Sequence, residues 1–189
     1  MKRVVLIGDS IRKGYEKTVK LALRRDAHVI APEDNCGPSY RILENIEEWV
    51  ILEEPEIVHI NCGLHDTRRD LNAKKPWVPI ERYKTNLKKI FTKMREKAPA
   101  KIIWATTTPV NEEWHKEKKS FERLDSRIVE YNEAAVTIAK SFDAAIDDLY
   151  KVVMDAGRDK ILSPDGVHYS EKGYEILGKA VAESIRAQL

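Results

Sequence analysis

The sequence predicts an α/β fold in which a parallel β-sheet is covered by helices on both faces. Short β-rich runs alternate with longer helical stretches along the chain, and each run is followed by a loop or a helix. This alternation is typical of strand–helix–strand units, which build parallel sheets. The length of 189 residues fits one domain, residues 1–189, which is large enough to bury a core without disulfides.

The first predicted strand, residues 3–7, contains the apolar run Val4-Val5-Leu6-Ile7 and ends at Gly8-Asp9. Other strands are predicted where short apolar and β-branched runs are bounded by polar or glycine-bearing segments. They cover residues 28–31, 57–61, 101–106 and, more weakly, 144–147.

Helices are predicted where apolar residues recur three or four positions apart. The period is clearest in residues 80–98, at Ile80, Tyr83, Leu87, Ile90, Phe91 and Met94, and it returns in residues 125–142. The last helix is predicted over residues 171–189, with Ser170 as its N-cap and Glu171 in the first turn. Residues 67–79 and 109–121 are the least regular stretches.

Composition excludes several classes of protein. Hydrophobic residues make up 42% of the chain and charged residues 34%, which indicates a folded globular protein rather than a disordered one. The 33 basic and 31 acidic residues balance to a net charge of +2, so neither nucleic acid nor an anionic membrane is expected as a partner. The two cysteines, Cys36 and Cys62, are expected to be small buried hydrophobes.

No targeting or membrane segment is expected. The apolar run after Met1-Lys2-Arg3 is broken by Gly8-Asp9, before it reaches the roughly seven residues that a signal peptide needs. No stretch approaches the roughly eighteen apolar residues of a membrane helix. A cytoplasmic location is therefore the expectation, and secretion after removal of a signal stays open.

Polar or glycine-bearing residues follow four of the predicted strands. Ligands of open parallel sheets bind beyond the carboxyl ends of the strands, so these loops are expected to meet at one rim. The loops contain Asp9-Ser10, Asn35-Cys36-Gly37, Gly63-Leu64-His65-Asp66 and Thr107-Thr108-Pro109.

Ser10 and the segment Asp165-Gly166-Val167-His168 together predict a Ser/His/Asp hydrolase. A serine hydroxyl becomes a good nucleophile when an imidazole takes its proton and a carboxylate orients that imidazole. Asp165 lies three residues before His168, and Pro164 and Gly166 favour the turn that would bring the carboxylate onto the ring. Ser10 is therefore the predicted nucleophile, His168 the base and Asp165 the orienting group.

The residues resemble the SGNH, or GDSL, hydrolases over essentially the whole chain. The resemblance rests on Gly-Asp-Ser near the amino terminus, the glycine after the second strand, Gly-x-x-Asp after the third, and Asp-x-x-His near the carboxyl terminus. It implies a three-layer α/β/α sandwich with a five-stranded parallel, flavodoxin-like sheet. It also implies esterase, lipase, thioesterase or deacetylase activity without a cofactor, and an oxyanion hole that includes the N–H groups of Ser10 and Gly37.

His65 departs from this family's pattern, which has an asparagine donor in a Gly-x-Asn-Asp block. A neutral imidazole carries one N–H donor and an imidazolium two, so His65 is the hypothetical third oxyanion donor. Its unperturbed pKa of about 6.5 would add a pH dependence that asparagine lacks.

Several candidate residues also have structural interpretations. Ser10 could cap the following helix, and Gly37 could serve a left-handed backbone angle. Asp9, His59 and Asp66 are interpreted as structural. No metal is expected, because the histidines and cysteines lack ligand spacing, and no phosphate-binding loop follows the first strand.

The favoured function is a serine esterase that forms an acyl-enzyme on Ser10 and acts on a small-molecule or carbohydrate ester with a short acyl group such as acetyl. Trp77 and Trp114 lie in the irregular stretches and are candidate substrate-binding residues, with core packing as the alternative. An acyltransferase using the same site and a non-catalytic ligand-binding module remain open, and the sequence does not determine the oligomeric state.

Overall fold

The computed structural model describes all residues from Met1 to Leu189 and contains a five-stranded parallel sheet. Its strands are β1 (Lys2–Ile7), β2 (Ala27–Ile30), β3 (Ile57–Ile60), β5 (Lys101–Ala105) and β7 (Ala145–Asp147). They lie in the order β2-β1-β3-β5-β7, and every neighbouring pair is parallel. A separate antiparallel ribbon pairs β4 (Arg69–Asp70) with β6 (Phe121–Glu122).

Eight α-helices connect and cover the strands. Their bounds are α1 (Ser10–Leu23), α2 (Ser39–Ile46), α3 (Ile80–Lys97), α4 (Glu112–Lys118), α5 (Asp125–Ser141), α6 (Leu149–Asp155), α7 (Arg158–Ile161) and α8 (Glu171–Arg186). A π-helical turn, Glu47–Ile51, continues α2. No helix is sufficiently long and apolar to span a lipid bilayer.

Alternation along the central strands divides the core into two layers. In β1, Val4 and Leu6 face one layer, which α1 and α8 cover, whereas Val5 and Ile7 face the other, which α2, α3 and α5 cover. Successive side chains of a strand point to opposite faces, so a continuous apolar strand requires cover on both. This arrangement confirms the predicted α/β/α sandwich.

The element boundaries differ slightly from those predicted. The second strand begins at Ala27 rather than at residue 28, and α8 ends at Arg186 rather than at residue 189. The two stretches predicted as least regular contain β4 and α4, and β6 begins at the last residue of the second stretch. Helix α4 begins there because the Asn111 side chain accepts from the Trp114 N–H at 3.1 Å.

The order of the strands creates the functional rim. From β1 the chain crosses to β2 on one side and later returns to β3 on the other, so the carboxyl ends of β1 and β3 flank a topological switch point. The loops after β1, β2 and β3 therefore approach one another, as the sequence predicts.

Candidate active site

Ser10, His168 and Asp165 form one hydrogen-bonded chain. The distance from Ser10 Oγ to His168 Nε2 is 2.9 Å, and that from His168 Nδ1 to Asp165 Oδ2 is 2.6 Å. Ser10 begins α1, whereas the other two residues lie in the loop before α8. The His168 side chain is 39% exposed, so the imidazole is accessible from solvent.

A tight turn holds Asp165 against His168. The Gly166 N–H donates to the Ser163 carbonyl at 3.0 Å, which closes the turn predicted for Ser163 to Gly166. Asp165 Oδ1 accepts from the backbone N–H groups of Val167 and His168 at 3.0 and 2.9 Å, while Oδ2 faces the imidazole. The carboxylate is thus oriented by its own loop.

The same contacts keep Asp165 ionised. Burial by itself would raise the pKa of this carboxyl group, but hydrogen bonds from the His168 ring and from the His168 and Val167 backbone lower it well below the usual range. An ionised Asp165 holds the proton on His168 Nδ1, which leaves Nε2 to accept the proton of Ser10.

Asp9 determines how Ser10 is presented. Its side chain accepts from the Ile11 N–H at 2.9 Å, so Asp9 is the N-cap of α1. The interpretation of Ser10 as the cap is therefore wrong, and its hydroxyl is directed to His168 instead. The structural interpretation of Asp9 is confirmed.

Gly37 adopts a left-handed backbone conformation, with φ of +61°, which glycine can adopt without steric cost. Its N–H, however, donates to Asn35 Oδ1 at 2.9 Å. The predicted oxyanion donor is thus already engaged within its own loop. To donate to an oxyanion, the Gly37 N–H must weaken or break its hydrogen bond with Asn35 Oδ1. The sequence did not indicate that Asn35 would occupy this N–H.

His65 is partly buried, and neither of its ring nitrogens has a hydrogen-bond partner within the chain. Burial lowers the pKa of its imidazole, and the nearby positive charges of Arg123 and Arg68 lower it further, against the opposing effect of Asp9. The ring is therefore neutral near pH 7 and has one N–H free for a ligand.

Asp66 and His59 serve the scaffold. The Asp66 carboxylate accepts from the backbone N–H of Ser39 at 3.0 Å and from its hydroxyl at 2.5 Å, which ties the start of α2 to the loop after β3. His59 is fully buried in β3, and its Nε2 lies 2.9 Å from Asp147 Oδ2. Both structural interpretations are confirmed. Cys36 and Cys62 are also buried and unpaired, as expected.

The two candidate substrate-binding tryptophans occupy different environments. Trp77 is 42% exposed, and the Arg68 guanidinium carbon lies 3.9 Å from its ring centroid. Trp114 is half-buried on α4 and packs against the core. Its Cβ would lie 3.1 Å from a Cβ added at Gly166, so Trp114 supports the turn that carries Asp165. Their predicted role in substrate binding stays a prediction.

Sequence reasoning missed Arg123, whose positive charge lies near His65, and the packing of Arg68 between two aromatic rings. Arg68 lies between the rings of Trp77 and Phe121, with 3.9 Å from its guanidinium carbon to each centroid. Arg123 Nε donates to the Leu64 carbonyl at 2.9 Å, directly before His65. Phe121 ends the irregular stretch of residues 109–121, and Arg123 follows shortly after it. No local sequence pattern indicates that these residues pack against the irregular stretch of residues 67–79. No group of three or more His, Cys, Asp or Glu side chains is placed to share a metal ion.

Comparison with known proteins identifies the family to which this geometry belongs. Residues 6–176 match the model of the GDSL-like Lipase/Acylhydrolase family, a span that includes Ser10, the His65 block and the Asp165–His168 turn. The chain belongs to the GDSL-like lipase/acylhydrolase family. The resemblance predicted from four short blocks is thereby confirmed.

The solved structures that resemble this GDSL-like chain share its fold. The crystal structure of the lipase/acylhydrolase from Enterococcus faecalis matches with a TM-score of 0.80 at 26% identity, covering 100% of this chain and 97% of that one. An acetyl xylan esterase, AlAXEase, matches with a TM-score of 0.77 at 17% identity, covering 97% and 99%. The second likeness concerns the fold alone.

Curated relatives of this GDSL-like chain carry esterase names. The isoamyl acetate-hydrolyzing esterase 1 homolog of Homo sapiens is 29% identical over 133 residues, which are 67% of this chain and 54% of that protein. The corresponding Bos taurus protein is 30% identical over 135 residues. The chain spans about half the length of these relatives. Family and relatives agree with the predicted class, the carboxylic ester hydrolases.

Proposed function

We propose that this protein is a serine esterase that hydrolyses carboxylic esters with short acyl groups through an acyl-enzyme on Ser10. The observation that carries the proposal is the continuous chain from Ser10 Oγ through His168 to Asp165, with distances of 2.9 and 2.6 Å. Nucleophile, base and orienting carboxylate are thus within hydrogen-bond distance of one another.

In the first half-reaction, Ser10 Oγ attacks the ester carbonyl while His168 Nε2 takes the hydroxyl proton. The tetrahedral intermediate collapses as His168 gives that proton to the leaving alkoxide, so the alcohol departs and the acyl group stays on Ser10. Water then attacks the acyl-enzyme with His168 again as base. This step releases the carboxylic acid and restores the Ser10 hydroxyl.

The oxyanion is stabilised by donors at the start of α1 and in the adjoining loops. The Ser10 N–H lies in the first turn of α1, where amide groups lack an acceptor within the helix and the helix dipole is positive. His65 contributes its unpartnered N–H as a second donor. The Gly37 N–H joins them when the Asn35 side chain releases it.

A short acyl group such as acetyl, carried by a small alcohol or a carbohydrate, is the proposed substrate feature. It is supported by the relatives whose names refer to isoamyl acetate and by the structural neighbour named an acetyl xylan esterase. The solvent-accessible His168 is compatible with a bulky alcohol outside the site.

The test is a series of p-nitrophenyl esters of increasing acyl length with Ser10→Ala as the inactive variant. We expect kcat/KM to be highest for the shortest acyl groups, and Ser10→Ala to reduce kcat by about 10⁴-fold or more because the nucleophile is lost. Ser126→Ala, at an exposed serine of α5, is the matched control and should retain wild-type activity.

Two outcomes would contradict the proposal. Absence of hydrolysis at every chain length would favour a non-catalytic ligand-binding module, and unchanged turnover in Ser10→Ala would remove Ser10 as nucleophile. Product analysis with an added alcohol distinguishes hydrolysis from acyl transfer, because a transferase makes a new ester in place of free acid.

A further inference from the structure

Arg123 is a buried arginine beside the candidate active site. Arg123 is only 8% exposed, and its Nε donates to the Leu64 carbonyl at 2.9 Å. The Phe121 ring covers the guanidinium, with 5.0 Å from the guanidinium carbon to the ring centroid. The side chain is thus held against the residue that precedes His65, and its orientation does not depend on a bound ligand.

Unlike its neighbours, Arg123 has no carboxylate partner. Arg68 pairs with Asp70 at 2.8 Å, and Arg69 and Arg127 both pair with Glu122, at 2.7 and 3.1 Å. Arg123 makes no ion pair, and its only hydrogen bond uses Nε, so Nη1 and Nη2 are unpartnered. Neither of these two atoms is fully enclosed, so both remain in contact with solvent.

The unpaired charge of Arg123 lies near charged residues of the candidate active site, Asp9 and Asp165, and near Arg68. Burial lowers the pKa of Arg123 to about 10, with Asp9 and Asp165 opposing that effect and Arg68 adding to it. The guanidinium therefore stays charged at neutral pH. A buried cation without a counterion is costly, and an anion bound to it would offset that cost.

We propose that Arg123 binds an anionic group, a carboxylate or a phosphate, carried by the substrate a few bonds from the ester that Ser10 attacks. The inference rests on the proposed esterase function and narrows its substrate class to anionic esters. The two Nη groups project from one edge of a planar guanidinium, a geometry that matches two oxygens of a carboxylate or phosphate. Arg123 would thus determine specificity, while bond cleavage remains with Ser10 and His168.

An alternative role for Arg123 is stabilisation of the oxyanion itself. Its only hydrogen bond, however, anchors it to the Leu64 carbonyl, and no hydrogen bond joins it to Ser10 or His168. The oxyanion also already has candidate donors in Ser10 and His65. An anion at a distance from the ester carbonyl therefore agrees better with the position of Arg123.

The experiment compares charged and neutral esters of matched size. One pair places the charge on the acyl side, 4-nitrophenyl hydrogen succinate against 4-nitrophenyl butyrate, and a second places it on the leaving group, 3-acetoxybenzoate against 3-acetoxybenzamide. Competitive inhibition by benzoate and by inorganic phosphate distinguishes the two kinds of anion. Each measurement uses the full chain, Arg123→Met, Arg123→Lys and, as matched control, Arg127→Met.

We expect the wild-type protein to prefer the charged member of one pair, and Arg123→Met to reduce kcat/KM for that ester by about tenfold to a hundredfold. The neutral partner should change little, and Arg123→Lys should recover part of the preference. Arg127→Met should leave the ratio of charged to neutral ester unchanged, because the Arg127 guanidinium is already bound to Glu122 and to the Thr67 carbonyl.

An equal loss of kcat for charged and neutral esters in Arg123→Met would overturn the inference in favour of an oxyanion role. An equal loss accompanied by a lower melting temperature would overturn it in favour of a structural one. If wild-type protein hydrolyses the neutral esters through Ser10 and shows no charge preference, only the anion inference fails. If it hydrolyses none of the esters, the proposed function fails.

Discussion

At the residue scale, His65 shows how the folded environment sets the chemistry of a side chain. The sequence places a titratable ring where the family pattern has an amide. In the structure, burial and the charges of Arg123 and Arg68 lower the pKa of this ring. The neutral form then persists through the neutral pH range and offers one N–H, so a histidine can take the place of an asparagine donor there.

His65→Ala is expected to reduce kcat by about 10²-fold or more, because the proposed oxyanion donor is lost. His65→Asn should recover part of this activity, and its rate profile above pH 7 should have the wild-type shape. The measurement is kcat against pH for the three proteins with one short-chain ester.

Thermal unfolding of the same proteins is the control. The His65 ring makes no hydrogen bond within the chain, so His65→Ala should have a melting temperature close to that of the wild type. Near-wild-type kcat in a folded His65→Ala protein would rule out the donor role.

At the element scale, the site depends on segments that have little regular structure of their own. The stretches around β4 and β6 pair as a ribbon in which Arg69 forms two hydrogen bonds with Glu122, at 2.8 and 2.7 Å. The turn that carries Asp165 is held similarly, because the Asn111 N–H donates to the Gly166 carbonyl at 2.8 Å. Packing against helix α4 therefore maintains the position of Asp165 and His168.

Gly166→Ala should disrupt this turn. Gly166 has φ of +73°, and an added Cβ would lie 2.5 Å from the Asn111 carbonyl oxygen and 2.7 Å from the His115 nitrogen. Because both contacts are with backbone atoms, the turn must shift, and a shift of about 1 Å can reduce kcat about a hundredfold. We expect a lower melting temperature together with this loss of activity.

Gly157→Ala is the matched control for backbone strain. Its φ is +80°, but the nearest atom to an added Cβ is Cδ of the flexible Lys160 side chain, at 3.2 Å. This variant should lose about 1–2 kcal/mol of unfolding free energy from the left-handed conformation alone and keep its kcat/KM. Equal activity in the two variants would show that the Gly166 contacts do not control the site.

At the scale of the whole molecule, buried polar groups connect one helical layer of the sandwich, that of α2 and α3, to the loop after the central strand β3. Asp66 links the loop after β3 to α2 through Ser39, whose hydroxyl accepts from the Asn86 side chain of α3 at 2.9 Å. Burial raises the pKa of Asp66 to about 6, although the Ser39 hydrogen bonds oppose the change. The stability of the fold is therefore linked to pH through this carboxyl group.

The contribution of Asp66 to the free energy of unfolding should decrease as pH rises from about 4 to about 6. In that range the unfolded chain has already released the Asp66 proton whereas the folded chain retains it, so stability present at low pH is lost as pH passes the folded pKa of about 6. A difference of about 2 pKa units corresponds to about 3 kcal/mol. The measurement is urea unfolding of the wild type and of Asp66→Asn at several pH values. The difference between their free energies of unfolding should change by about this amount over that pH range. A constant difference would contradict the assignment.

Much of the fold follows from the sequence by itself. The spacing of apolar residues along a strand or helix reflects which face of that segment is buried, so the order of strands and helices could be predicted. From this order it could also be predicted that the loops after the strands lie close together. Asp165 and His168 could be paired because a short turn brings them together. The catalytic assignment of Ser10 followed from its combination with Asp165 and His168, agreed with the family pattern, and stays a proposal.

Only the tertiary structure decided which distant segments meet. It places Ser10 Oγ 2.9 Å from His168 Nε2, although the two residues are 158 positions apart in the chain. It also joins the Gly37 N–H to Asn35 and the unpaired Arg123 to the Leu64 carbonyl. These contacts depend on how the loops pack over the rim, and neither composition nor period encodes such long-range packing. The sequence by itself determined the layers of the sandwich and the turn that holds Asp165, while tertiary packing decided which donors and charges surround Ser10.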